Sequence, residues 1–113
     1  MERNIKVKRP GLLGTLELSV LPERKHVFHL FVVRVSQRQK FLEFMSASGI
    51  ATIIHYPIPI HLQPAYEFLN YKRGDFPITE KVSEEIVALP IYPELEEKEI
   101  SYIIAKIINY FKK

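Results

Sequence analysis

The chain has 113 residues, of which 47% are aliphatic or aromatic and 26% charged; that is enough for one compact domain and too short for two, and it excludes a disordered tail as the main content. It contains no cysteine, which excludes a disulfide framework and a thiolate metal site. The net charge of +3 is unevenly spread, with nine Lys/Arg against three Glu in residues 1–40 and eight acids against two Lys in residues 74–100.

Residues 1–14 lack periodicity and contain Pro10, Gly11 and Gly14, which reads as an arm or linker rather than a core element. Thr15 to Leu21 alternates, with Leu16, Leu18 and Val20 on one face, as in a half-buried strand closed by Pro22. His26 to Val35 (HVFHLFVVRV) is apolar on both faces and rich in β-branched and aromatic residues, as expected of a central strand. Ser36 and Gln39 have capping-box spacing, so a helix is expected from there, with Phe41, Leu42 and Met45 at helical spacing and Gly49 at the left-handed C-terminal cap.

Ile50 to Ile54 reads as a short buried strand, and it leads into His55-Tyr56 and an arm stiffened by Pro57, Pro59 and Pro64. Pro64 suits the first position of a short helix over Ala65 to Leu69, ended by Asn70. Tyr71 to Asp75 is a polar turn. Pro77 opens a helix with Ile78, Val82 and Ile86 expected inward and Glu80, Lys81, Glu84 and Glu85 outward. Leu89 to Pro93 suits a short edge strand. The last helix carries Ile100, Ile103, Ile104, Ile107, Ile108 and Phe111 as a broad apolar stripe, with Glu97 and Glu99 near its start and Lys112 and Lys113 at its end.

The candidate chemistry is sparse. His26 and His29, three apart on an expected strand, point to opposite faces and do not share an ion. His55 and His61 flank the arm with no carboxylate nearby in sequence to orient them. No serine sits in a nucleophile turn, and the four glycines (Gly11, Gly14, Gly49 and Gly74) do not make a phosphate loop. The basic N-terminal segment has no interleaved aromatics, and Phe28, Phe31, Phe41, Phe44 and Phe111 read as packing rather than base stacking. No window approaches the ~20 apolar residues of a membrane span and no leader pattern follows Met1, so a cytoplasmic protein without nucleic-acid or membrane partners is expected.

Four pieces in order, HVFHLFVVR, GIATIIHYPIPIHLQPAY, GDFP and LPIYPEL, resemble the C-terminal small domain of the DegT/DnrJ/StrS family of sugar aminotransferases. The resemblance runs from about residue 24 to the C-terminus and sets residues 1–23 apart as an arm with a strand in it. It implies an α/β (α+β) domain, a small mostly antiparallel sheet of three to four strands with helices packed on it, as in the C-terminal domain of fold-type I aminotransferases. The family uses pyridoxal 5′-phosphate to transfer an amino group to a nucleotide-linked keto-deoxysugar for surface polysaccharide or lipopolysaccharide biosynthesis. Its Schiff-base lysine and phosphate site lie in a large N-terminal domain with no counterpart here, so the resemblance implies a fragment without cofactor or catalytic residues, inactive alone. His55 and Tyr56 are the implied substrate contacts, with His61 behind them, and the dTDP-linked 3-keto-6-deoxyhexoses are the implied substrates. The face meant for the large domain would be exposed and open to homo-oligomer formation. The alternatives are a stand-alone module binding a nucleotide sugar or a protein partner through the arm, and, on charge alone, a nucleic-acid module.

Overall fold

In a computed structural model that describes residues 5–7, 16–18, 23–25 and 27–112, strands follow one another across the sheet in chain order. These are β1 (Ile5–Val7), β2 (Leu16–Leu18), β3 (Phe31–Val35) and β4 (Ile86–Leu89), every neighbouring pair antiparallel. Between β3 and β4 lie α1 (Arg38–Ala47), two 3-10 turns at Ile60–Leu62 and Pro64–Leu69, and α2 (Pro77–Glu85); α3 (Glu97–Lys112) closes the chain. Helices and an antiparallel sheet together make the mixed architecture expected from the sequence.

The core is assembled from β3, α1, β4 and α3. Val33, Val35, Phe41, Met45, Ile50, Val87 and Phe111 form one buried cluster, with Phe31, Leu42, Phe44, Ile103, Ile107 and Tyr110 packed against it. Edge-to-face geometry organises its aromatic part: the Phe41 and Tyr110 rings are 5.2 Å apart at 83°, an arrangement the ring quadrupoles favour. Burial, with the Glu43 charge nearby, pushes the Tyr110 phenol above its ordinary pKa. The end of α1 follows from backbone chemistry. Gly49 takes φ +73°, its N–H donates to Ser46 O and the Ile50 N–H donates to Met45 O. This pairing closes the last turn and carries Ile50 into the same core as Met45.

Several expectations change. Ile5–Val7, inside the segment read as an arm, pairs with β2; three residues are too few to show a period. The central strand starts at Phe31 rather than His26, because Phe28 takes φ +51° and interrupts the extension; its ring stacks on Phe31 at 5.4 Å. His29 is exposed in a bend, and His26 lies outside the described residues, as do Thr15 and Ser19 to Pro22. Helix α1 starts one turn position later than the Ser36 capping box requires: the cap is Gln37 with no side-chain cap bond, and Gln39 instead donates its amide to Glu43. Ile50 to Ile54 is not a strand. Only Ile53 pairs, exchanging two backbone bonds with Ala88 on the outer edge of β4. Ile86 belongs to β4, which ends at Leu89 because Pro90 has no N–H to continue it.

Candidate substrate-binding arm

The arm from Ile54 to Phe76 is irregular, and its hold on the domain comes from polar groups of α2. Ser83 is buried, and its Oγ–H donates to the carbonyls of Tyr56 at 3.0 Å and Pro57 at 3.3 Å. One helical turn earlier Glu80, also buried, lies with Oε1 2.9 Å from His61 Nε2, while both its oxygens accept the Gly74 N–H at 2.8 and 3.0 Å. Residues three apart share a helix face, so one face of α2 grips the arm at its start, its middle and its end.

Electrostatics fits that geometry. Burial pushes the Glu80 carboxyl up, but the His61 ring and the backbone N–H groups of Gly74 and Phe76 outweigh it and hold the carboxyl below the usual carboxylate range. An ionised Glu80 only accepts, so Nε2 of His61 carries the proton. The rings of Phe76, at 4.8 Å, and Tyr71, at 6.5 Å, meet His61 edge-on and meet each other at 5.0 Å, shielding the pair. Behind α2, Arg38 Nη1 donates to the carbonyls of Ser83 and Ile86. It thereby satisfies carbonyls that the end of a helix leaves unpaired, and the chain passes from α2 into β4 with no loop. Arg34 pairs with Glu85 beside it.

His55 and Tyr56 sit at the head of the arm, joined by a cis peptide bond. Their rings meet edge-on at 5.3 Å. Tyr56 is 69% exposed. His55 is half-buried and its Nδ1 is shielded from solvent without a hydrogen-bond partner among the described residues. His61 is buried and paired with Glu80, so it supports the arm from behind and does not share a surface with Tyr56. The carboxylate found missing near the histidines in sequence is thus supplied by α2. Sequence reasoning passed over Glu80, Ser83 and Arg38; the one local signal was Gly74, whose φ of +98° aims its N–H at a carboxylate six residues on.

A family model described as the DegT/DnrJ/EryC1/StrS aminotransferase family matches residues 10–108. The chain belongs to this family. Its match begins ahead of residue 24, where the motifs begin. Relatives of this aminotransferase-family chain include a pleiotropic regulatory protein of Geobacillus stearothermophilus, 40% identical over 79% of the chain and 24% of the relative. The dTDP-3-amino-3,6-dideoxy-alpha-D-galactopyranose transaminase of Aneurinibacillus thermoaerophilus is 39% identical over 81% of the chain and 25% of its own length. Among solved structures, S. venezuelae DesV, crystallised with a ketimine intermediate, superposes with a TM-score of 0.84 at 35% identity, covering 91% of this chain and 28% of DesV. The chain therefore spans about a quarter of the length of the relatives it matches.

The family is pyridoxal-phosphate-dependent, but the residues described here do not fit that cofactor. A Schiff-base lysine needs a pocket that favours its neutral form. Lys98, on the rim of a cleft of about 430 Å³, is exposed and paired with Glu96 at 2.7 Å. Lys106 lies over the Tyr102 ring at 5.2 Å, and Lys25, Lys40, Lys72, Lys81 and Lys112 are exposed. Among the described residues no group of three or more His, Asp or Glu is placed to hold a metal ion, and no helix is long and apolar enough to cross a membrane.

Proposed function

We propose that this chain is the C-terminal small domain of a cytoplasmic nucleotide-sugar aminotransferase, inactive without a cofactor-bearing large domain, and that its arm presents His55 and Tyr56 to the sugar nucleotide. The observation that carries this reading is the clamp: an irregular arm fixed by Glu80 and Ser83 that leaves Tyr56 exposed at its head. A fixed arm loses little entropy when it meets a ligand. Tyr56 would donate or accept at a sugar hydroxyl or phosphate oxygen. His55, whose shielded Nδ1 lacks a partner among the described residues, would gain one when substrate and large domain close over it; such an unpaired group costs roughly 1–3 kcal/mol. His61 acts on the substrate only through the arm. The relatives' printed names include transaminases of dTDP-linked amino sugars, which supports a dTDP-linked keto-deoxysugar as substrate.

The test has two arms. The 113-residue chain, mixed with pyridoxal phosphate, glutamate and a dTDP-linked keto-sugar, should produce neither visible absorbance of a lysine-bound cofactor nor amino sugar; either would overturn the reading. Grafted in place of the matching segment of a full-length relative, the chain should support turnover, and Tyr56→Ala should raise KM for the sugar nucleotide. The exposure of Tyr56 on a fixed arm also favours a second reading, a stand-alone module for nucleotide sugars. A saturable chemical-shift change on adding dTDP-sugar to the isolated chain, lost in Tyr56→Ala, would select it.

A further inference from the structure

The hydroxyl that fixes the head of the arm is carried on the last turn of its helix. Ser83 stands just before Glu85, where α2 stops, and Ile86 follows in extended conformation. Carbonyls in the last turn of a helix have no partner within it, and helix ends open more readily than helix middles. A side chain borne on that turn moves with it unless something outside the helix holds the backbone. Arg38, at the start of α1 and 45 residues earlier in the chain, supplies that hold: its Nη1 donates to the Ser83 carbonyl and, at 3.3 Å, to the Ile86 carbonyl. The Ser83 hydroxyl meanwhile donates to the carbonyls of Tyr56 and Pro57. Arg38 and the head of the arm therefore meet at one residue, Arg38 through its backbone and the arm through its side chain. Glu80 lies one turn further into the helix, with its N–H bonded to Phe76 O, so its hold on His61 and Gly74 does not depend on the last turn.

We propose that Arg38 is a positioning residue for sugar-nucleotide binding: by fixing the Ser83 backbone it keeps Tyr56 where the substrate meets it. The inference rests on the substrate reading of Tyr56 given above. The residue type suits the task. A guanidinium stays charged at every working pH and offers several donors in a rigid plane, so one side chain serves two carbonyls at once. Its charge at the end of α2 also complements the helix dipole. Arg34 gives the same turn a second hold, but through the Glu85 side chain. That pair is partly exposed, and exposed pairs contribute little; the Ser83 backbone itself is held by Arg38. The route from Arg38 to substrate thus has two named links, Arg38 to Ser83 and Ser83 to Tyr56, and each can be cut separately.

Two measurements decide it. In amide NMR spectra of the 113-residue chain, Arg38→Ala should shift and broaden Tyr56, Ile58 and Ser83 while the Gly74 amide, held by Glu80, stays protected from exchange. In a full-length relative carrying this chain as its matching segment, Arg38→Ala should raise KM for a dTDP-linked keto-sugar by on the order of fivefold and leave kcat little changed. Arg38→Lys keeps the charge and one donor group, so its KM should fall between the two; it also serves as the test variant if Arg38→Ala does not fold. Tyr102→Phe, which removes the bond to Ser48 O at the far end of α1, should lower stability without moving KM. Arg38→Ala combined with Tyr56→Ala should bind scarcely worse than Tyr56→Ala alone, because the arginine acts through the tyrosine. The proposal is overturned if the arm signals do not respond to Arg38→Ala, if KM is unchanged in Arg38→Ala although Tyr56→Ala raises it, or if the two substitutions add in full. A KM indifferent to Tyr56→Ala would instead bring down the substrate reading, and the link from Arg38 to substrate with it, whatever the arm signals show.

Discussion

Glu80 Oε1 lies 2.9 Å from His61 Nε2, both side chains buried, and the same carboxylate holds the Gly74 N–H. One acidic residue therefore ties together a 3-10 turn, a polar loop and the first turn of α2. Its charge also lies near the N-terminal end of α2, where the helix dipole favours an anion.

Acid should loosen this tie. The folded-state pKa of Glu80 lies below its ordinary value of 4.5, so in the acid range the folded chain binds fewer protons there than the unfolded chain does. The stability it contributes is present above pH 4.5 and is lost as the pH falls through the lower, folded-state pKa. Urea unfolding followed from pH 7 to pH 3 should show this loss, and Glu80→Gln should flatten the pH dependence while lowering stability at neutral pH. Parallel curves for the two proteins would remove Glu80 from the account.

Ser83 should act locally. Ser83→Ala removes the hydroxyl that serves the Tyr56 and Pro57 carbonyls and should cost about 1 kcal/mol, the net worth of a typical internal hydrogen bond. The change should appear in chemical shifts from Tyr56 to Ile58 and leave the β3–β4 pairs alone. Shifts spread over the core would mean that Ser83 matters for packing rather than for the arm.

The legible parts of the fold were those whose cause is local. Gly49 at a left-handed cap, Pro64 opening a turn that Asn70 ends at φ +59°, the Lys72–Asp75 turn and α3 all follow from residues within one or two turns of each other. Helix α2 was legible in extent and misread in orientation. Apolar periodicity turns Ile78 inward, yet Ile78 is 80% exposed, while Glu80 and Ser83 are buried. Their burial is tolerable because each finds partners 19 and 26–27 residues away, which no local pattern displays. His55 and Tyr56 were legible as the head of a proline-stiffened arm. The clamp that fixes them was not, for the same reason.

Arg38 offers a separate handle on the same region. Arg38→Ala leaves the Ser83 and Ile86 carbonyls without this donor and should cost about 1.5–3 kcal/mol, as for hydrogen bonds made by a charged group. Hydrogen exchange should rise at the α2–β4 junction more than in α3. Uniform protection across the domain would refute a local capping role.

Gly49 separates backbone from side-chain causes. A Cβ at this position meets nothing within 4 Å, but the φ of +73° is one that side-chain-bearing residues enter at a cost of roughly 1–2 kcal/mol. Gly49→Ala should therefore destabilise by about that amount with no change in core packing, and Gly49→Asn by less, because asparagine tolerates the left-handed region better. The Tyr102 hydroxyl, which donates to Ser48 O at 2.9 Å, gives an independent reading of the same cap. If the helix end keeps its shape in Gly49→Ala, Tyr102→Phe should lower stability by a similar amount in both backgrounds, since the bond it removes is unaffected. A smaller loss in the Gly49→Ala background would mean that the α1 terminus has already frayed, and that the left-handed residue fixes the cap's geometry as well as its energy.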